Sequence, residues 1–536
     1  MFNNRPPQTT SLGPCIAPRR TRLLMAMIVA ASALASLPAF AQAPYLRAAQ
    51  PITDSQGRTQ VIVDFAEKAR ETSSESLHPT SKYSGTPFAR FHNAQALSLI
   101  EGYESRYKFV AVGMTTWVGD SLTTHLTRAQ IEALLRDPLV KQISDDRYEA
   151  LSAPPPWADS VAGTGDTISW GRTAVNGKDI ILGSTRLVYV IDTGVAQHAD
   201  LSNVVARTNV ACGAGGGCEL SNPATYPVVG CYAHSTHVAG IIGAENSNGQ
   251  TTAGVYAGVG IVSVSVLSDT NGTGICGNSA IATSSVGYAL DYVYAQAVSN
   301  INGPVAIVNI SINGGQMGWS YNQEGNLATE PNYGKVSKLA RPAILKGGEH
   351  YKGTFVVQSA GNFFDDVCTL RSYPNTSRAY MPYPANYPFN SADALDGIMV
   401  VGAVKATGVA VSTSEPFSAT IPANLTGLPG PSNYGRCVDI WAPGDAIVST
   451  WGNHSSPNTV VGTSYSGNPS SGSSGWAFLS GTSMAAPHVA AAAAYLADAY
   501  GLTDSIAIET KVRSFGVQFN MNVDNAGQPV NMIQLP

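Results

Sequence analysis

Four stretches of the chain are almost uninterruptedly apolar: Leu187 to Ile191, Val305 to Ile310, Phe355 to Val357 and Ile398 to Val401. Continuous rather than alternating apolarity marks strands buried on both faces, as in a parallel sheet. Helical periods lie between them, one from about Asn278 to Ala297 and one from about Ser483 to Tyr500, closed by Gly501 as a C-cap. This alternation predicts a three-layer α/β domain with a mostly parallel central sheet. The earlier part of the chain has a different pattern. Val61 to Phe65 and Val140 to Ile143 read as strands. Thr127-Arg128-Ala129-Gln130 reads as a capping box opening a helix whose apolar face is Ile131, Leu134 and Leu135, and Asp137-Pro138 ends that helix. The Pro-rich stretch Ala153 to Pro156 follows as an extended linker. These signals predict a small α+β domain over 42–150 and a large domain over 151–536. Segments 413–433 and 454–475 are expected to be surface insertions.

Composition changes that picture in one respect: it suits an extracellular protein. Charged residues make up only 12% of the 536, about half the usual share, while apolar residues make up 44%. A net charge of −5 without Lys/Arg runs leaves no electrostatic footprint for nucleic acid. Arg19, Arg20 and Arg22 precede the uncharged apolar stretch Leu23 to Leu37, and Ala39-Phe40-Ala41 supplies small residues for cleavage. That order reads as a secretory signal over residues 1–41. Its apolar part is short for a membrane span, so no stable membrane insertion is expected after cleavage. Cys15 leaves with the signal. Cys212, Cys218, Cys231, Cys276, Cys368 and Cys437 remain as an even set bound for an oxidising compartment, which predicts three disulfides of open connectivity.

Ligand and catalytic sites of parallel α/β sheets gather at the carboxyl ends of strands. The first apolar strand runs straight into Asp192-Thr193-Gly194. His234 to Gly240 opens a helix, and Gly481-Thr482-Ser483-Met484-Ala485-Ala486-Pro487 places Ser483 at a helix N-terminus. A serine hydroxyl needs a neighbouring base to become a nucleophile, and imidazole suits that task near neutral pH. A buried carboxylate can hold the imidazole tautomer, and free N–H groups at a helix start favour developing negative charge. Taken singly, each motif has a bland reading as a turn or a cap; their order and flanking strands together carry the assignment. His237 and His488 are expected to be structural, because the helix turns them away from the first residue of each motif.

These motifs resemble those of the subtilisin-like serine proteases (subtilases), over about Trp170 to Val512. The resemblance implies the three-layer subtilisin-like fold, a serine endopeptidase acting on protein or peptide substrates, and a triad of Asp192, His234 and Ser483. It implies that Asn362, in Ser359-Ala360-Gly361-Asn362, joins the nucleophile's N–H in an oxyanion hole. Asn309, Ser311, Ile312 and Asn313, with Ser359, Ala360 and Gly361, then bind substrate. The domain over 42–150 resembles the family's inhibitory propeptide, with Asp137-Pro138-Leu139-Val140 and the pair Asp145-Asp146 as its marks. Its tail, Asp145 to Pro156, is expected to lie as an added strand beside Asn309 to Ile312 and to be self-cleaved there. No cofactor is needed for catalysis. Structural calcium is implied at Asp200 and the loop from Glu245 to Thr251. Four departures stand out: Ser235 and Asn313 where the family usually has Gly, and long segments from Gly315 to Lys352 and from Phe363 to Met381. An esterase using the same triad predicts a G-x-S-x-G elbow with the histidine downstream of the serine, and here His234 lies upstream. An inactive binding relative would normally have lost a triad residue.

Overall fold

The structure, a computed structural model, describes residues 52–86, 92–146, 148–150, 169–210, 232–248, 252–268, 280–312, 320–322, 333–362, 366–367, 371–372, 379–380, 395–405, 432–451, 475–524 and 526–536. The signal at 1–41, the linker 153–156, Asn313 and the insertions 413–431 and 454–474 lie outside the described residues, as do all cysteines but Cys437.

The N-terminal part builds on a sheet of antiparallel strands. β1 (Thr59–Phe65) pairs with both β3 (Ser121–Leu126) and β4 (Val140–Asp145), and β2 (Ala111–Thr115) lies outside β3, in the order β4-β1-β3-β2. Helices α1 (Ala94–Tyr107) and α2 (Arg128–Leu135) connect them. Asn93 caps α1 through its side chain, and the predicted Thr127–Gln130 capping box opens α2. The period of two decides which way β1 faces. Val61, Val63 and Phe65 join Leu97, Ile100, Leu134 and Ile143 in one apolar core. The alternate position Asp64 turns the other way, toward Lys335 of the large domain at 3.4 Å.

That sheet is not closed by its own residues. Its outer edge at β4 is covered by a strand from the segment the sequence marks as unusually long. A short strand after Asp146, β5 (Tyr148–Ala150), likewise leaves the small sheet for the large domain.

In the large domain, among the described residues, nine strands form one sheet. The strands are β6 (Leu187–Asp192), β7 (Val204–Asn209), β8 (Gly260–Ser265), β10 (Ile307–Ile310), β12 (Phe355–Ser359), β13 (Ile398–Val404), β14 (Ile440–Pro443), β15 (Gly516–Val523) and β16 (Pro529–Ile533). Their order is β15-β16-β14-β13-β12-β10-β6-β8-β7. All neighbours are parallel except β15 and β16. The predicted runs are these strands, buried on both faces as their apolarity requires. Helices α3 (Tyr232–Gly243) and α6 (Thr482–Ala499) cover one face; α4 (Thr283–Ser299) and α5 (Tyr333–Ala340) cover the other. Helix α7 (Ser505–Ser514) follows α6. Between them the strands β9 (Ala280–Ala282) and β11 (Ser320–Asn322) lie outside the main sheet; β11 is the strand that borders β4. The chain leaves β6 for β7 and β8 on one side and returns through β10 on the other, so the connections diverge between β6 and β10, the switch point at which such sheets bind ligands.

The described end of the N-terminal tail, β5, pairs antiparallel with β9, Ile281 opposite Glu149. β9 has Leu267–Ser268 on its other side. β10 has β6 on one side and β12 on the other, so Asn309 and Ile310 take no strand from the tail. Residues 151–156 of the tail lie outside the described residues.

Candidate active site

Three elements deliver the site. β6 ends in Asp192, fully buried, whose Oδ1 accepts the Thr193 N–H at 2.6 Å. His234 stands in the first turn of α3, two residues inside its start, rather than opening it. Its Nδ1 lies 3.0 Å from both carboxylate oxygens of Asp192. That contact fixes the ring and directs Nε2 away from the carboxylate. Burial opposes a charge on His234, but the Asp192 charge and hydrogen bond outweigh it, so the imidazole titrates above its ordinary 6.5.

Ser483 is the second residue of α6 and is buried to within 8% exposure. Gly481, at φ +149°, makes the sharp entry into the helix; a Cβ there would also approach Asn362 Nδ2 at 3.2 Å. The Ser483 hydroxyl donates to the Ser311 carbonyl at 3.0 Å. Asn362 reaches the same turn from the end of β12. Its Oδ1 accepts the Thr482 N–H at 2.8 Å and the Thr482 hydroxyl at 2.9 Å, and that hydroxyl accepts the Gly361 N–H at 3.1 Å. A backbone N–H can only be met by the amide oxygen, so the orientation of Asn362 is forced. Its NH₂ is left as the donor facing the cleft. Thr482, which the sequence reading passed over, is the residue that orients this amide; its place between Gly481 and Ser483 was the available signal.

The proposed substrate strand behaves unevenly. Asn309, Ser311 and Ile312 bury their side chains, as do Ser359 and Ala360. His237 and His488, expected to be structural, each meet a main-chain carbonyl: His237 Nε2 that of Ile447, and His488 Nδ1 that of Met484. Burial pushes His488 and His198 down to about 4, against a single backbone hydrogen bond each. Ser235 is fully buried and its hydroxyl has no hydrogen-bond partner. Cys437 is disulfide-bonded.

Asp200 is fully buried, with Oδ1 accepting from Asn248 Nδ2 at 2.9 Å and Oδ2 from the Thr252 N–H at 2.8 Å. The carboxylate thus latches its loop. Among the described residues no group of three or more His, Cys, Asp or Glu gathers as a metal cluster would, and no helix is long and apolar enough to cross a membrane.

The chain resembles known proteins along most of its length. The subtilase family model, Peptidase_S8, matches residues 183–512. An extracellular protease of Xanthomonas campestris is 27% identical, over 86% of this chain and 69% of its own. A thermostable alkaline protease of Halalkalibacterium halodurans is 27% identical, over 70% of this chain and 72% of its own. Fervidolysin from Fervidobacterium pennivorans, a keratinolytic enzyme related to subtilisin, shares the fold at a TM-score of 0.53 and 16% identity, covering 91% of this chain and 62% of that one. With more than half of its length matched by the family model, this chain belongs to the subtilase family and is a subtilisin-like serine endopeptidase.

Proposed function

We propose that Asp192, His234 and Ser483 are the catalytic triad of a secreted enzyme, with the Asn362 NH₂ in its oxyanion hole. The observation that carries this reading is the buried Asp192–His234 bond at the carboxyl end of β6, with Ser483 in the first turn of α6, a helix packed against the one that carries His234. His234 Nε2 takes the Ser483 proton as Oγ attacks the scissile carbonyl, and Asp192 stabilises the imidazolium that forms. The carbonyl oxygen becomes an oxyanion that Asn362 meets with its amide hydrogens. Collapse of the intermediate expels the amine, which leaves with the proton from His234. Water then hydrolyses the acyl-enzyme by the same exchange in reverse. The Ser483 hydroxyl starts from the Ser311 carbonyl and turns about its Cα–Cβ bond to reach His234.

The same reading makes 1–41 a cleaved signal, 42–150 an inhibitor-type propeptide and 151–536 the peptidase. The Arg-led apolar leader and the extracellular relative support secretion. The lodging of Tyr148–Ala150 against β9 supports a tail lying close to the cleft. Paired cysteines fit the same compartment, and Cys437 is one of them. A structural cation would be held by Asp200 with loop oxygens of 245–251, and chelation would then lower the melting temperature at unchanged kcat.

Ser483→Ala tests the triad and the self-processing together. The variant should lose peptide hydrolysis while keeping its fold, and its precursor should accumulate until wild-type enzyme is added to trim it. Near-normal proteolysis by the purified variant, or maturation at the normal site with no other protease present, would refute the reading.

A further inference from the structure

The first turns of α6 contain a gap in their own hydrogen bonding. In an α-helix the carbonyl of residue 483 is met by the N–H of residue 487. Residue 487 is proline, inside the helix and buried. It has no N–H, and its ring crowds that same carbonyl. The Ser483 carbonyl is therefore orphaned within the helix, at a buried position where an unmet carbonyl is costly.

The missing donor comes from another element. Ser311, just past the end of β10 and 2% exposed, donates its hydroxyl to the Ser483 carbonyl at 2.9 Å. Its Oγ in turn accepts from Asn309 Nδ2 at 2.9 Å. A hydroxyl has one proton, so a donor fixed on its oxygen commits that proton to the Ser483 carbonyl. Asn309 is fully buried in the middle of the sheet, and its Oδ1 has no partner among the described residues. An amide kept there with half its hydrogen-bonding capacity unmet is kept for the other half, and that half goes to Ser311.

We infer that Ser311 is a positioning residue for the nucleophile, acting through the main-chain carbonyl of Ser483, and that Pro487 and Asn309 are parts of the same device. Pro487 stops the helix from claiming the carbonyl, Ser311 claims it, and Asn309 holds Ser311 in the donating orientation. The peptide that follows the nucleophile is thereby tied to the strand end bordering the substrate, and the two cannot shift independently. The bond from the Ser483 hydroxyl to the Ser311 carbonyl breaks when the hydroxyl turns to His234; the bond to the Ser483 carbonyl survives that turn. This inference rests on Ser483 being the nucleophile.

Steady-state kinetics of the mature enzyme on a peptide substrate test it, with a serine-directed phosphonate titrating the active sites of each variant. Ser311→Ala should lower kcat about ten- to a hundredfold with KM nearly unchanged, since it misplaces the nucleophile without touching substrate. Ser311→Thr, which keeps the hydroxyl, should recover most of that loss. Pro487→Ala supplies an N–H that competes for the carbonyl, so alone it should lower kcat. Combined with Ser311→Ala it gives the orphan a partner, and the double variant should lose less than the product of the two single losses. Losses that multiply, or a Ser311→Ala defect confined to KM, would overturn the inference. Should Ser311→Ala fail to fold, Pro487→Ala decides alone, and an unchanged kcat there is fatal. Failure of the triad reading would look different: the phosphonate would leave Ser483 of the wild-type enzyme unlabelled.

Discussion

The floor of the cleft and the seam between the N-terminal part and the large domain are both buried, yet they are held by different chemistry. At the cleft, neutral groups do most of the holding: Ser311 on the Ser483 carbonyl, Thr482 on Asn362, Gly361 on Thr482. The one carboxylate there faces an imidazole. At the seam, two carboxylates reach across in opposite directions. Asp291 of α4 accepts the N–H groups of Thr116, Trp117 and Val118 at 3.0, 2.6 and 2.9 Å. Asp146 of the N-terminal part accepts the N–H and hydroxyl of Ser284 at 3.1 and 2.5 Å, with Gln60 at 2.8 Å. The lesson lies in the cost of separation. Parting the cleft's neutral pairs would leave groups unmet inside the protein. A carboxylate and the amides it held can both be hydrated once the two surfaces part. Separation therefore costs more at the cleft than at the seam.

Four experiments can break or sharpen that contrast. Asn362→Ala should give the largest effect, a fall in kcat with KM little changed, on the order of the 10²–10³ seen when such a donor is removed from subtilisin. It should leave retention of the N-terminal part untouched. A rise in KM at constant kcat would make Asn362 a substrate-binding residue instead.

Asp291→Ala should do the reverse. Three N–H groups lose a charged acceptor, weakening the seam by about 2–3 kcal/mol, or roughly 30- to 150-fold in retention. The lag before activity appears in processed precursor should shorten, and kcat of the mature enzyme should not move. An unaltered lag would mean the strand pairings alone hold the seam.

The third test is titration. His234 must be neutral to act as a base, so activity should fall on the acid side with a midpoint above 6.5, by about tenfold per unit below it. The sign for stability is opposite. The protonated pair with Asp192 is stabilising, fully present below the unfolded value and lost as pH rises through the raised folded one. Asp192→Asn removes the charge that raises His234 and leaves burial opposing it, so its acid limb should move down. A midpoint unmoved in that variant would detach the limb from His234.

The smallest effect belongs to Ser235. Replacing its unpartnered buried hydroxyl by Ser235→Ala should stabilise the enzyme by about 1 kcal/mol, read as a rise in melting temperature, with kcat preserved. Destabilisation would show that the hydroxyl has a use.

How much of this was legible beforehand depended on whether local pattern or tertiary pairing decided the outcome. The central strands were legible because burial on both faces writes itself as unbroken apolarity, as at Leu187 to Ile191. The helix phase was legible too, and it assigned His237 and His488 to structure. Strand β11 was not, because Ser320 to Asn322 has no strand pattern of its own and becomes a strand by meeting β4. The pairing of residues 148–150 with β9 was hidden for a similar reason: which edge a strand meets is a property of the assembled sheet. The orientation of Asn362 and the donor to the Ser483 carbonyl each depend on partners more than a hundred residues away. Asp146 stood out as half of an acidic pair, but nothing near it named Ser284.

The N-cap position of helix α4 is Ala282, a residue with no side chain able to cap it. Its cap is Asp146, from the other side of the seam. While the chain is whole, that cap is tethered and present at high effective concentration. A cut anywhere beyond Ala150 turns it into a separable ligand. The strand β9 just before the helix would lose its partner β5 in the same event. Residues 280–284 would then form a stretch whose order depends on dilution: firm in a concentrated sample of nicked enzyme, and looser as the two pieces drift apart.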